Sequence, residues 1–205
     1  MKYNAIQKNK GFTIIETMIA TSLFIIIVTA GLGALLNASL LHQKSRDMRS
    51  ILDNLSFVME DMSRNLRTGY NYHCFISGDV IPSATSSIVS TPKSCANGWA
   101  ISFESASGVP SNNDDQWLYY IGNTGKIFKS NAGPYVSTSF VQITPDEVVV
   151  NTSKSGFTVT GAEGPASGDT LQPFVTIKLN GIITSQGIVT PFSLQTSVSQ
   201  RNIDI

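Results

Sequence analysis

The chain has 205 residues, a formal net charge of zero and only 14% charged side chains. That length buries a substantial core and fits one globular domain better than two. The neutral balance gives no basic surface for nucleic acid, and the abundance of Ser, Thr, Asn and Gly after Gly69 suits a secreted β-rich domain rather than a disordered tail.

The charge is uneven along the chain. Lys2, Lys8 and Lys10 crowd the first eleven residues with no acid among them, and the remainder carries 11 basic and 14 acidic side chains. From Thr17 to Leu41 no residue is charged, and apolar character is densest over 18–36. As a helix, residues 12–36 span about 37 Å, enough to cross a hydrocarbon core of roughly 30 Å. Lysines before this stretch, with no such excess just after it, place the N-terminus in the cytoplasm and everything beyond about Leu41 outside. A cleaved secretory signal is the competing reading, with small residues at Val28-Thr29-Ala30. Against it, Glu16 would sit unpaired in the apolar region, and the helical pattern runs past Ala30 without a turn signal. A lipoprotein is excluded because the first cysteine is Cys74.

The run Gly11-Phe12-Thr13-Ile14-Ile15-Glu16 ahead of an apolar helix resembles the class III signal of type IV pilins and type II secretion pseudopilins. The resemblance implies that a prepilin peptidase cuts on the cytoplasmic side after Gly11 and methylates Phe12, the new N-terminus. Glu16, then the fifth mature residue, is implied as the filament-assembly residue. Its carboxylate meets the α-amino group of Phe12 of a neighbouring subunit, and since a buried ion left unpaired costs several kcal/mol, docked subunits are favoured. The alternative is a glutamate solvated at the headgroup level.

Beyond Leu41 the pattern turns amphipathic. Leu41, Met48, Leu55 and Met62 recur every seven residues, with Leu52, Met59 and Leu66 four residues after the last three, and Ile51 and Val58 widening the stripe. Arg49 and Asp53, and Glu60 and Arg64, stand one turn apart, worth a few tenths of a kcal/mol each. With no proline before Pro82, one helix is expected from about Phe12 to about Arg67, about 84 Å long, stopping at Thr68-Gly69. A coiled-coil stalk on a membrane anchor is the bland alternative. Where many major pilins carry a helix-loosening proline this chain has Gly31-Leu32-Gly33, which weakens a helix far less.

After the helix the sequence reads as short strands, over 99–103, 117–121, 126–129, 140–143, 148–150, 157–160, 174–179, 182–183 and 192–198. Gly122-Asn123-Thr124-Gly125 is a hairpin signal. Phe174, Thr176 and Lys178 alternate with Val175, Ile177 and Leu179, giving one buried face. The expected fold is α+β, a long helical spine packed on an antiparallel sheet, in an order similar to larger minor pilins and J-type minor pseudopilins. The implied divisions are a leader at 1–11, a membrane or filament-core helix at 12–41, an amphipathic outer half at 42–69 and a β-rich head at 70–205. Polar loops at 83–94 and 105–115 are where subunit-specific surfaces are expected.

Cys74 and Cys95 are compatible with one disulfide closing a loop of about 22 residues, worth roughly 3 kcal/mol by the chain-entropy model, or with two buried thiols. Export favours the bridge. His42 falls at the junction of membrane segment and stem. His73 adjoins Cys74 on an expected loop, where neighbouring side chains point apart, a poor geometry for nucleophile and base. No nucleophile elbow, phosphate loop or spaced metal set occurs. Asn112-Asn113-Asp114-Asp115 offers oxygen ligands of the kind some pseudopilins use for calcium, but it lacks a complete ligand loop and reads as a solvated turn. Tyr70, Tyr72 and Phe75 read as an aromatic seal between head and helix. No catalytic, cofactor-binding or metal-binding residue is assigned, and no enzyme activity is expected.

The expected function is that of a structural subunit, a minor pilin or pseudopilin. It would be held in the cytoplasmic membrane with its head outside, then incorporated into a periplasmic or extracellular filament. Implied partners are the prepilin peptidase, an inner-membrane assembly platform and other pilin or pseudopilin subunits, with no direct nucleic-acid contact. The alternatives are a major pilin of an adhesive or DNA-uptake fibre and a signal-anchored or secreted β-domain binding protein.

Overall fold

The computed structural model describes residues 11–81, 91–109, 111–133, 137–164 and 167–201. The leader up to Lys10 and most of the polar loop expected at 83–94 lie outside them. The chain divides after Arg46 into two units, taken separately below.

One helix, α1 (Ile14–Thr68), matches the expected spine to within two residues at either end. In the first unit its side chains are almost all exposed, and Gly31 and Gly33 leave the helix unbroken. The hydroxyl-bearing residues between Thr17 and Thr29 turn inward to their own backbone. The hydroxyls of Thr17, Thr21, Ser22 and Thr29 donate to carbonyls three or four residues back at 2.8–3.1 Å, which leaves the outer surface apolar. The most apolar window has a mean hydropathy of 2.4, so the helix is long and apolar enough to cross a membrane.

In the second unit the last turns of α1 bury Ile51, Leu55, Val58, Met59, Met62 and Leu66. Two members of the expected stripe fall outside this face. Leu52 stands at its edge and is 39% exposed, and Leu41 belongs to the first unit, where it is exposed. Of the two expected helix ion pairs, Glu60 and Arg64 meet at 2.9 Å; Arg49 and Asp53 make none.

The head strands are β1 (Tyr70–Phe75), β2 (Cys95–Gly98), β3 (Ala100–Glu104), β4 (Gln116–Ile121), β5 (Ile127–Ser130), β6 (Val141–Gln142), β7 (Val148–Val150), β8 (Gly156–Thr160), β9 (Phe174–Ser185) and β10 (Ile188–Ser199). They form two antiparallel sheets rather than one. The first runs β1-β3-β4-β5-β6, and the second runs β10-β9-β8-β2 with β7 also paired to β9. The expected hairpin joins β4 to β5, with Ile121 opposite Ile127 and Gly125 at φ 74°, a conformation costly for any residue with a Cβ.

The expected strands 174–179 and 182–183 are a single strand. Val175, Ile177, Leu179 and Ile183 stay buried on one parity, and Gly181 takes the intervening place because the Val149 carbonyl and the Phe192 ring occupy the space of a side chain. Strands β1 and β2 went unforeseen. Both faces of β1 are covered, so His73, Cys74 and Phe75 are all buried in succession and no alternation marks it. The fold is therefore α+β, with the helix stripe, the inner face of the first sheet and the second sheet sharing one core. A smaller cluster, Phe75, Ala100 and Leu118 with Trp99, Tyr120 and Phe140, covers the other face of the first sheet.

Candidate functional site

The sequence places its functional residues at the start of α1. Phe12 is 81% exposed and Gly11 has no neighbouring atoms where a side chain would stand. Thr13 and Glu16 form a reciprocal box at the helix N-terminus. The Glu16 N–H donates to Thr13 Oγ1 at 3.4 Å, and the Thr13 N–H donates to Glu16 Oε2 at 3.5 Å. Both are long for hydrogen bonds, so the glutamate is steered toward the helix start without being locked there. A carboxylate in the first turn also offsets the positive end of the helix dipole. Thr13 is the residue that sequence reasoning passes over, although its signal was present as the Thr-x-x-Glu spacing of a capping box.

His42 is exposed on α1. His73 is not on a loop but on β1, 4% exposed, with Nδ1 at 2.7 Å from the Thr91 carbonyl and its ring against Phe75. Burial lowers its pKa, only partly opposed by the Thr91 contact. Cys74 is joined to Cys95 by a disulfide, so it offers no thiolate to His73. The bridge links β1 of the first sheet to β2 of the second, with Cα atoms 5.8 Å apart. Around it, Lys93 pairs with Asp79 at 2.7 Å, and this hydrogen bond is the main reason the Asp79 pKa is lowered. Ser94 donates both its backbone N–H and its hydroxyl to Glu163. Gly98 packs on the bridge, where a side chain would meet Cys95 Sγ at 2.8 Å and the Phe75 carbonyl at 2.6 Å.

Tyr72 and Tyr70 are placed at the end of the spine. The buried Tyr72 hydroxyl lies 2.5 Å from the Leu66 carbonyl and 2.8 Å from that of Gly69, where the helix leaves carbonyls unpaired. Tyr119 reaches the helix from β4. Its hydroxyl accepts from Asn65 Nδ2 at 2.8 Å and donates to Asp61 at 3.2 Å, and Lys129 also binds Asp61 at 2.9 Å.

Asn112-Asn113-Asp114-Asp115 folds as a turn. Asn112 Oδ1 accepts from the Asp114 N–H at 3.1 Å and Asp115 Oδ2 from the Val109 N–H at 3.0 Å, so both oxygens serve the loop. Among the described residues no group of three or more His, Cys, Asp or Glu side chains is placed to hold a metal. At the base of this loop lies a group that the sequence does not reveal. Glu104 on β3 is fully buried, with Oε1 accepting from Gln116 Nε2 at 2.6 Å and Oε2 buried without a partner among the described residues. Burial pushes its pKa up to about 7, with the Asp115 charge adding and the Gln116 hydrogen bond opposing.

No family model, curated protein or solved structure matches the chain. The assembled features are an apolar helix with a steered carboxylate at its start, a cross-linked head, and no nucleophile and base brought together among the described residues.

Proposed function

We propose that this chain is a pilin-like structural subunit, a minor pilin or pseudopilin. It is stored in the cytoplasmic membrane, cut after Gly11, methylated at Phe12 and drawn into a filament by burial of its N-terminal helix. The observation that carries the reading is α1 itself. A single helix starts at the Thr13–Glu16 box, has a membrane-length apolar surface and continues into the stripe that forms the core of the head. Its passage through Ala30 and Gly31 without a break disfavours a signal peptide released there.

In the filament the Glu16 carboxylate exchanges its long contact with the Thr13 N–H for the protonated α-amine of Phe12 on a neighbouring subunit. A charge-assisted pair is roughly twice as strong as a neutral hydrogen bond, and its loss in an apolar core leaves a buried ion at a cost of several kcal/mol. The partners would be further pilin or pseudopilin subunits, the prepilin peptidase and an inner-membrane platform.

N-terminal mass spectrometry of the extracytoplasmic protein tests the processing, with N-methyl-Phe12 expected and a Gly31 start refuting it. Glu16→Ala tests the mechanism. Membrane insertion and cleavage should persist while incorporation into sheared filaments falls at least tenfold, the consequence of losing more than about 1.4 kcal/mol of subunit affinity. Normal incorporation of the variant would rule out the pairing.

A further inference from the structure

At the end of β4 a concavity of about 530 Å³ is lined by the turns that follow β1 and β4, by Asn97 and Trp99 around the end of β2, and by Thr152 after β7. Trp99 and Tyr120 line it, half-buried and packed edge to face with centroids 6.3 Å apart. The Trp99 indole N–H donates to the Ile76 carbonyl at 2.9 Å, which fixes the plane of the ring. Behind Tyr120 the rings of Phe128 and Phe140 pack at 4.9 and 5.1 Å, so the platform is rigidly backed.

The rim is uniformly neutral and polar, supplied by Ser77, Asn97, Asn123 and Thr152. Among the described residues the side chains of these four and the Tyr120 hydroxyl make no hydrogen bond, and none of those lining the concavity is charged. Asn97 holds a left-handed backbone at φ 57°, at the irregular pairing of β2 with β8. Asparagine adopts this conformation more readily than other residues with a Cβ.

We infer that this concavity binds an uncharged saccharide. A pyranose presents an apolar C–H face, which suits an aromatic platform, and a ring of hydroxyls that both donate and accept. Two amides and three hydroxyls, each able to donate and accept, answer that pattern, whereas an anionic or cationic ligand finds no counter-charge. A preformed concavity with an aromatic floor and a few unspent polar groups is the common form of a small-ligand site. The site does not depend on filament membership and stands or falls separately.

The test is isothermal titration calorimetry on the full chain in lipid nanodiscs, free of glycoside detergent, with cellotriose, chitotriose and maltotriose. Saturable binding of at least one trisaccharide is expected. Asn123→Ala, at an exposed turn, should weaken it about tenfold, and Trp99→Ala should abolish it. Ser56→Ala, on the exposed helix face, should leave it unchanged. Should Trp99→Ala fail to fold, as judged by circular dichroism, the Asn123→Ala titration alone decides. The proposal is overturned if no trisaccharide binds the folded wild-type chain, if Asn123→Ala binds as tightly as wild type, or if a proline decapeptide saturates the site while the sugars do not.

Discussion

Glu104→Gln isolates a buried acid whose titration opposes folding near neutral pH. The carboxyl is fully buried, and burial lifts its pKa from the ordinary 4.5 to about 7. A folded-state pKa above the unfolded one means that the native protein holds the proton more tightly. The stabilisation is therefore complete below about pH 4.5 and is lost as pH rises through about 7. The shift corresponds to roughly 3 kcal/mol as an upper bound. Part of it will relax as the loop at 105–115 admits water, so Glu104 is expected to contribute a loss of about 1–3 kcal/mol between pH 5 and pH 8. His73 acts in the opposite sense, since burial lowers its pKa and its stabilisation is lost on acidification. The difference between variant and wild type removes that contribution. Glutamine keeps the shape and still accepts from Gln116 through its amide oxygen, so Glu104→Gln should match the wild type near pH 5 and exceed it at pH 8. Urea denaturation of the full chain in micelles, followed by the emission of Trp99 and Trp117, gives both values. An unchanged pH dependence in the variant would refute the assignment.

Replacing both cysteines by serine should cost about 3 kcal/mol, read as a lowered urea midpoint with native far-ultraviolet circular dichroism below it; an unchanged midpoint would deny the bridge its stabilising role. Leu66→Ala removes a fully buried side chain at the end of α1 and should destabilise the head by about 2–5 kcal/mol. By contrast, Leu52→Ala at the edge of the stripe should cost under about 1 kcal/mol in the same assay.

How much of this could be read in the sequence depends on whether a signal was local. The helix was legible because its apolar run, heptad-spaced stripe and Thr68-Gly69 stop all lie along one element, and Gly122 to Gly125 announced a hairpin from four residues. Strand β1 was not legible, because alternation marks a strand only where one face meets water, and His73 and Cys74 are both buried. The division into two sheets was hidden for a related reason. Whether β8 pairs with β9 or with β4 is decided by long-range register, and nothing within Gly156–Thr160 encodes it. Thr13 was visible but absorbed into a processing motif, and Glu104 carries no mark at all, since its partner Gln116 stands twelve residues away across a strand pair.

The connections at the end of α1 give the disulfide a meaning beyond loop entropy. Strand β1 starts two residues after the helix stops, and Tyr72 secures that corner through the Leu66 and Gly69 carbonyls. Beyond β10, the Arg201 N–H donates to the Arg67 carbonyl at 2.8 Å, so the far end of the second sheet returns to the same corner. A subunit held by its helix, as proposed, would receive any pull on the head at this point. Backbone hydrogen bonds pass it from β1 into the first sheet, and the second sheet is reached covalently through Cys74 and Cys95, through residues 76–94, and through Trp99, which joins β3 to β2. The cross-link is the shortest covalent path from the end of the helix to the second sheet. Its removal should therefore be felt more under shear of assembled filaments than in the equilibrium stability of the isolated chain, and equal sensitivity in the two measurements would argue for loop entropy alone.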